Sequence, residues 1–364
     1  MAQNPSQGIH KLPGETILDI MEQTVSTYHD AVSLALVCSR FKSIAASPTV
    51  WANCKLSMNL SQGQISAIVR RSRGLPLRAS IIIDEDHEGW TGLPSDAEKV
   101  LRYSELFEDL YIFLPLHFDE QWRSLHVNYP MPRLLHLQTT FMPRPIAGNK
   151  ITQCSVVLND DEPYPTMLEF LASVPLLHTL NIHIVSLYHR HLDLDSLRQT
   201  VTFCRLKRME VIGSYCQLLV NVFDNLVLDS LADLIIVFSW ASNLSASQAA
   251  TVVRAACRYQ SLERLLVKVE GRFGTDASKS FSEDTTIDSF ESALLSNVSN
   301  GLKELQLIVP PRRSATRWSY RQGSYSSPES VDVAITCGKD LSTDAFLEII
   351  KSTELAKLIP MLMF

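Results

Sequence analysis

Residues 230–239 read SLADLIIVFS: Leu231, two residues, Leu234, one residue, then Ile236. The same shape returns in LFEDLYIFLP (106–115), MPRLLHLQTT (131–140), VPLLHTLNIHI (174–184), CRLKRMEVIG (204–213), SLERLLVKVEG (261–271) and GLKELQLIVP (301–310). With the last apolar residue as marker, Ile182, Val211, Ile236, Val267 and Leu307 are separated by 29, 25, 31 and 40 residues. A β-sandwich brings its strands about every 8–12 residues. A period of about 20–50 residues marks a repeat array.

The stretches between these segments carry helical patterns, as in DEPYPTMLEFLASVP (161–175), ASQAATVVRAACRYQ (246–260) and DSFESALLSNVSNG (288–301). In the second, Ser247 is suited to cap a helix on which Val252, Ala255, Ala256 and Tyr259 share one face. Strand followed by helix at this period resembles a leucine-rich repeat of an irregular kind. The resemblance implies an α/β solenoid over residues 77–364: a curved parallel sheet, helices outside, and a concave face that holds a ligand. The asparagine that usually follows the repeat's strand is replaced by Val185, Ser214, Ser239, Glu270 and Pro310, so a distorted solenoid is expected. The alternative is a compact α/β domain, and without a Gly-rich phosphate turn it would not be a nucleotide-binding one.

The first sixty residues have another texture. In LPGETILDIM (12–21), Pro13 suits the first turn of a helix and Glu15 the positive end of its dipole. Ile17, Leu18 and Met21 form an apolar stripe with Ile20 on its flank. TVSTYHD reads as a connector, and Asp30 as the cap of a second helix, AVSLALVCSRFKSIA, apolar over most of its girth. A third short helix begins at SPTVW, with Ser47 as cap and Pro48 in its first turn. Helices so short and so apolar need the rest of the chain or another protein as a partner.

The string Leu12, Pro13, Glu15, Ile17, Leu18, Ile20, then Leu34, Leu36, Val37, Cys38, Phe41, Ile44, Ala45, then Pro48 and Trp51 resembles the F-box across residues 10–57. Thr16, Phe41 and the Tyr28–His29 connector depart from its usual pattern. The resemblance implies three helices docking on the Skp-type adaptor of a cullin-RING ubiquitin ligase. It also assigns Leu12, Pro13, Glu15, Ile17, Leu18, Ile20, Leu36, Val37, Cys38, Phe41, Ile44 and Trp51 to that surface or its immediate support. Residues 1–9 precede it as a flexible N-terminus. Residues 58–76 follow as a linker helix, capped by Ser61 and Gln64, with Arg70, Arg71 and Arg73 near its end and Gly74 as its stop.

The composition excludes several other classes. At 46% hydrophobic and a net charge of -6, the chain has a core to bury and no general attraction to nucleic acid or anionic lipid. No secretory signal is expected from MAQNPSQGIHK, and no run approaches the ~18 apolar residues of a membrane span. The seven cysteines are odd in number and never form a CxxC pair, which fits reduced thiols in the cytoplasm or nucleus. There is no GxSxG, P-loop or HExxH, so neither catalytic residues nor a cofactor or metal is expected. His189, His191, Asp193 and Asp195, and the acidic runs at 84–86 and 160–162, read as solvated loops. In PPRRSATRWSYRQGSYSSPES (310–330), Arg312, Arg313, Arg317 and Arg321 alternate with Trp318 and Tyr320, a combination suited to contacting a protein target. The expected role is therefore substrate recognition within the ligase. A scaffold that uses the same docking without ubiquitin transfer, and a hydrolase with drifted motifs, are the rivals.

Overall fold

The structure, a computed structural model, describes residues 11–83, 94–114, 120–146, 150–159, 164–185, 200–213, 216–239, 246–256, 258–269, 304–309 and 331–336. The chain divides into two compact units, Met1–Gln153 and Cys154–Phe364. The helices and the large parallel sheet are an α/β arrangement.

The first unit opens with helices α1 (Gly14–Thr24), α2 (Tyr28–Val37), α3 (Ser39–Ile44) and α4 (Pro48–Ala52). The single second helix expected after Asp30 is two. The break falls at Cys38, whose backbone is extended at φ -163 and ψ 171. Nothing in the apolar pattern marks it, because α2 is apolar on every side. Asp30 is not the cap: Thr27 is, and Asp30 is the third helical residue, its carboxylate accepting from the Thr27 N–H at 2.9 Å while the Thr27 hydroxyl accepts from the Asp30 N–H at 3.2 Å. The pair forms a capping box. The Ser61–Gln64 box of α5 (Gln62–Ser72) is as expected. Its end comes one residue early, at Arg73 with φ 52, followed by Gly74 with φ 78.

Strands β1 (Leu56–Ser57), β2 (Leu77–Ile82), β3 (Phe107–Phe113) and β4 (His136–Thr139) are neighbours in that order, all parallel. Helix α6 (Ser95–Leu101) lies between β2 and β3 in the chain, and α7 (Glu120–Arg123) and α8 (Leu125–Asn128) lie between β3 and β4.

The second unit runs β5 (Gln153–Asn159), α9 (Tyr164–Ala172), β6 (Thr179–Val185), β7 (Val201–Thr202), β8 (Arg208–Gly213), α10 (Cys216–Asn225), β9 (Leu226–Val227), β10 (Asp233–Phe238), α11 (Ala246–Ala256), β11 (Arg264–Val269), β12 (Glu304–Val309) and β13 (Val331–Thr336). Its sheet has the order β5-β6-β8-β10-β11-β12-β13, and the pair β12–β13 is antiparallel. The short strands β7 and β9 pair apart from it.

All seven recurring segments are strands, and their repeat is visible in the register. Leu180, Met209, Leu234, Leu265 and Leu305 stand opposite one another on successive strands, as do the markers Ile182, Val211, Ile236, Val267 and Leu307. No step slips. The entries into the strands are pinned alike: the His178 carbonyl accepts from the N–H groups of Lys207 and Arg208, that of Lys207 from Ala232 and Asp233, and that of Ala232 from Glu263 and Arg264, all at 2.8–3.1 Å. In the segments from β3 to β11 the three recurring positions are buried, the third being Thr139 in β4. Leu177, Leu206, Leu231 and Leu262 are buried together with Leu180, Met209, Leu234, Leu265, Ile182, Val211, Ile236 and Val267, each side chain contributing about 1.5–3 kcal/mol. At the end of β8 space is short: a Cβ on Gly213 would lie 3.1 Å from Ile184 Cβ.

The curved sheet expected of a horseshoe is not found. Within each unit the strands follow a linear order and the sheet is not curled. Curvature needs a wide outer layer at every step, since packed helices sit about 8–10 Å apart and strands about 4.8 Å. Here that layer is uneven: α7 and α8 have four residues each, and the described residues between β4 and β5 contain no helix.

Candidate docking surfaces

The helices of the first unit close on a small core of Ile17, Met21, Val25, Ala31, Ala45, Val50, Trp51 and Cys54. Trp51 is its hub. The indole Nε1–H donates to the Ala45 carbonyl at 2.6 Å, the Tyr28 ring meets it edge-on at 6.0 Å, and the Arg71 guanidinium of α5 lies 4.2 Å above it. Asn53 donates from its side chain to the Glu22 carbonyl, and the Lys55 N–H to the Ser26 carbonyl, each at 2.9 Å. Burial pushes the Cys54 thiol up to about 12, with the Asp30 charge adding to the effect. Burial also raises the Cys154 thiol. These two cysteines are inert packing groups.

Around this core the expected docking residues divide by exposure. Leu36, Val37 and Ile20 are 79%, 62% and 47% exposed, and Pro13 and Glu15 are exposed as well. Leu12, Leu18, Cys38, Phe41 and Ile44 are half-buried, while Ile17 and Trp51 belong to the core. The Arg40 guanidinium of α3 donates to the Leu12 carbonyl and so ties the start of α1 to α3. Of α2, only Ala31 is fully buried. The chain turns away at Cys38, so the last turn of α2 ends in two large apolar side chains facing solvent.

The sheet supplies a second surface. In the first unit, Arg78, Asp109 and His136 stand in one row across β2, β3 and β4. Arg78 Nε lies 3.1 Å from Asp109 Oδ2, and His136 Nδ1 is hydrogen-bonded to the other carboxylate oxygen. Ile82 and Phe113, also paired in register, are 50% and 39% exposed.

In the second unit the corresponding row runs Thr179, Arg208, Asp233, Arg264 and Glu304, one residue from each of β6, β8, β10, β11 and β12, with cations and anions alternating from Arg208 on. It borders a shallow hollow of about 180 Å³, lined also by Leu234, Ile235, Leu265 and Leu266. Sequence reasoning did not single out this row, because a charge at the first position of a strand gains a neighbour only once the register is known.

The expected target-contacting residues Arg312, Arg313, Arg317, Trp318, Tyr320 and Arg321 lie outside the described residues. So do His189, His191, Asp193, Asp195, the two acidic runs and residues 1–9. Among the described residues no group of three or more His, Cys, Asp or Glu is placed to hold a metal ion, and no helix is long and apolar enough to cross a membrane. Compared with known proteins, the chain matches no family model and no curated protein.

Proposed function

We propose that this chain is a non-catalytic substrate-recognition subunit of an SCF-type ubiquitin ligase. Its N-terminal helices would dock on a Skp-type adaptor, and through it on cullin, while the sheet-bearing part holds a protein target. The observation that carries the reading is the exposure of Leu36 and Val37, 79% and 62%, at the end of a helix that resembles the second helix of an F-box. A monomer gains nothing from such a pair in water. Covering each with a partner contributes about 1.5–3 kcal/mol, and Ile20 and Phe41 can extend the contact. The mechanism is positional: a target lysine is held near a ubiquitin-charged enzyme that other subunits bring, which raises its effective concentration. Such a complex works in the cytoplasm, the nucleus or both.

The test is titration of the full chain against a purified Skp-type adaptor, with the Leu36→Ala, Val37→Ala double variant beside it. The wild type should bind tightly, and the double variant at least about a hundredfold more weakly, roughly 3 kcal/mol. Both side chains are exposed, so the variant keeps its fold, which far-UV circular dichroism checks. No binding by a folded wild-type chain would end the ubiquitin reading. The scaffold alternative makes the same contact, and transfer of ubiquitin to a captured protein in a reconstituted complex separates the two.

A further inference from the structure

We infer that the end of α5 is a docking site for an acidic segment of another protein, held by Arg70, Arg71, Arg73 and Arg133. The inference goes beyond the proposed function and does not depend on adaptor docking.

The chain carries a net charge of -6, yet from residue 31 to residue 83 it has seven cationic side chains and no carboxylate. Three of the seven, Arg70, Arg71 and Arg73, stand together at the end of α5 and are exposed. A fourth cation comes from the entry to β4: the exposed Arg133 donates from Nη1 to the Gly74 carbonyl at 2.8 Å, just past the helix. None of the four is in an ion pair among the described residues. The helix dipole does not call for so many, since its effect is confined to the last turn and one cation there already serves it.

The surplus survives a count of the charges on the elements around it. Between α6 and the start of β3, Asp96 is paired with Lys99, and Asp109 with Arg78 and His136. Glu98, Glu105 and Glu108 remain there against Arg102, a remainder smaller than the charge of the four arginines. The acids of α1 and α2 are equalled in number by Lys11, Arg40, Lys42 and Lys55. The acidic run at 84–86 follows β2, whose six residues carry the chain about 20 Å away from Gly74.

Two of the guanidiniums are already held in place, which lowers the entropy lost on binding. Arg71 lies 4.2 Å above the Trp51 ring, and Arg133 is tied to Gly74. Both retain N–H groups for contact with a carboxylate, which a guanidinium takes in a two-pronged grip. A protein segment is favoured over single-stranded nucleic acid, because the rings beside the cations are not open to stacked bases. Trp51 is buried under Arg71, and the Lys55 ammonium lies 5.3 Å from the centre of the Tyr111 ring.

The experiment measures the fluorescence anisotropy of labelled hexaglutamate and hexaglutamine with the full chain, without adaptor. Hexaglutamate should bind at least about tenfold more tightly than hexaglutamine, and its affinity should fall as salt is raised. The Arg70→Gln, Arg73→Gln double variant should weaken that binding at least about fivefold. The Arg205→Gln, Lys207→Gln double variant removes the same charge from the second unit and should change it by less than about twofold. All four side chains are exposed, and circular dichroism checks that both variants keep their fold. Equal binding of the two peptides, no binding, or equal weakening by the two double variants would overturn the inference. So would tighter binding of a single-stranded oligonucleotide or of phosphatidylserine vesicles than of hexaglutamate at the same salt. With no adaptor present, failure of adaptor docking does not affect the outcome, and the adaptor titration varies none of the four arginines.

Discussion

Trp51, assigned by the F-box resemblance to a docking surface or its immediate support, lies in the core. Its place in the F-box-like string suggests a contact with a partner, yet its ring lies among Tyr28, Arg71 and the Ala45 carbonyl and is only 1% exposed. Tryptophan serves interfaces and cores alike, because it has a large apolar body and one polar handle. Residue type therefore does not separate the two uses. The contacts make a graded expectation. Trp51→Ala should cost about 3–5 kcal/mol by leaving a cavity. Trp51→Phe should cost about 1–3 kcal/mol, since the ring is largely replaced but the buried Ala45 carbonyl loses its donor. Urea unfolding of the two variants against wild type checks both, and equal midpoints for wild type and Trp51→Phe would deny the indole hydrogen bond any role. Leu36 and Val37, named in the same string, stand in solvent instead.

At the scale of elements, the strands were readable from sequence where the first two inward positions were large and apolar, as they are even in β4, whose third is Thr139. β5 was not recognised, though Ile151, Cys154 and Val156 are buried at the same spacing; a cysteine in the middle position hid the pattern. α10 was readable in principle, from Leu218, Leu219, Val222 and Phe223 on one buried side. The break between α2 and α3 was not, because neither proline nor glycine announces it. The start of α2 rests on the Thr27–Asp30 box and makes a pH-dependent expectation. The Thr27 side chain is the main cause that holds the Asp30 carboxyl below its ordinary 3.8; slight burial opposes it, and the backbone N–H groups of Ser26 and Thr27 add to it. A carboxyl depressed by folding stabilises the fold above its ordinary value, and that contribution fades as pH falls through the folded value. Asp30→Asn should therefore be less stable than wild type at pH 7, with the gap narrowing at pH 3. Thr27→Ala should cost about 1 kcal/mol at pH 7. Denaturant midpoints at the two pH values read both effects, and a gap that widened in acid would contradict the assignment.

On the scale of the whole molecule, uneven spacing between strands coexists with an even register, since the intervals of 25 to 40 residues vary in connections while the rows stay aligned. Stability in such stacks passes mainly between neighbours. Leu234→Ala, which removes a side chain 1% exposed from the middle of one row, should cost about 2–5 kcal/mol. Hydrogen exchange should show the loss first in β8, β10 and β11, with β2 and β3 still protected; a uniform loss would mean that the chain unfolds as one. The fold class could be read from the inward rows, which carry the repeat. The charged row at Arg208 could not, because it exists only once separate strands are aligned. That alternation has a further meaning. The instructions that build the sheet and the features it displays are written on interleaved positions of the same strands, like two texts on alternate lines. A change at an outward position such as 208, 235 or 266 alters the displayed face while the lines that specify the stack remain as they were.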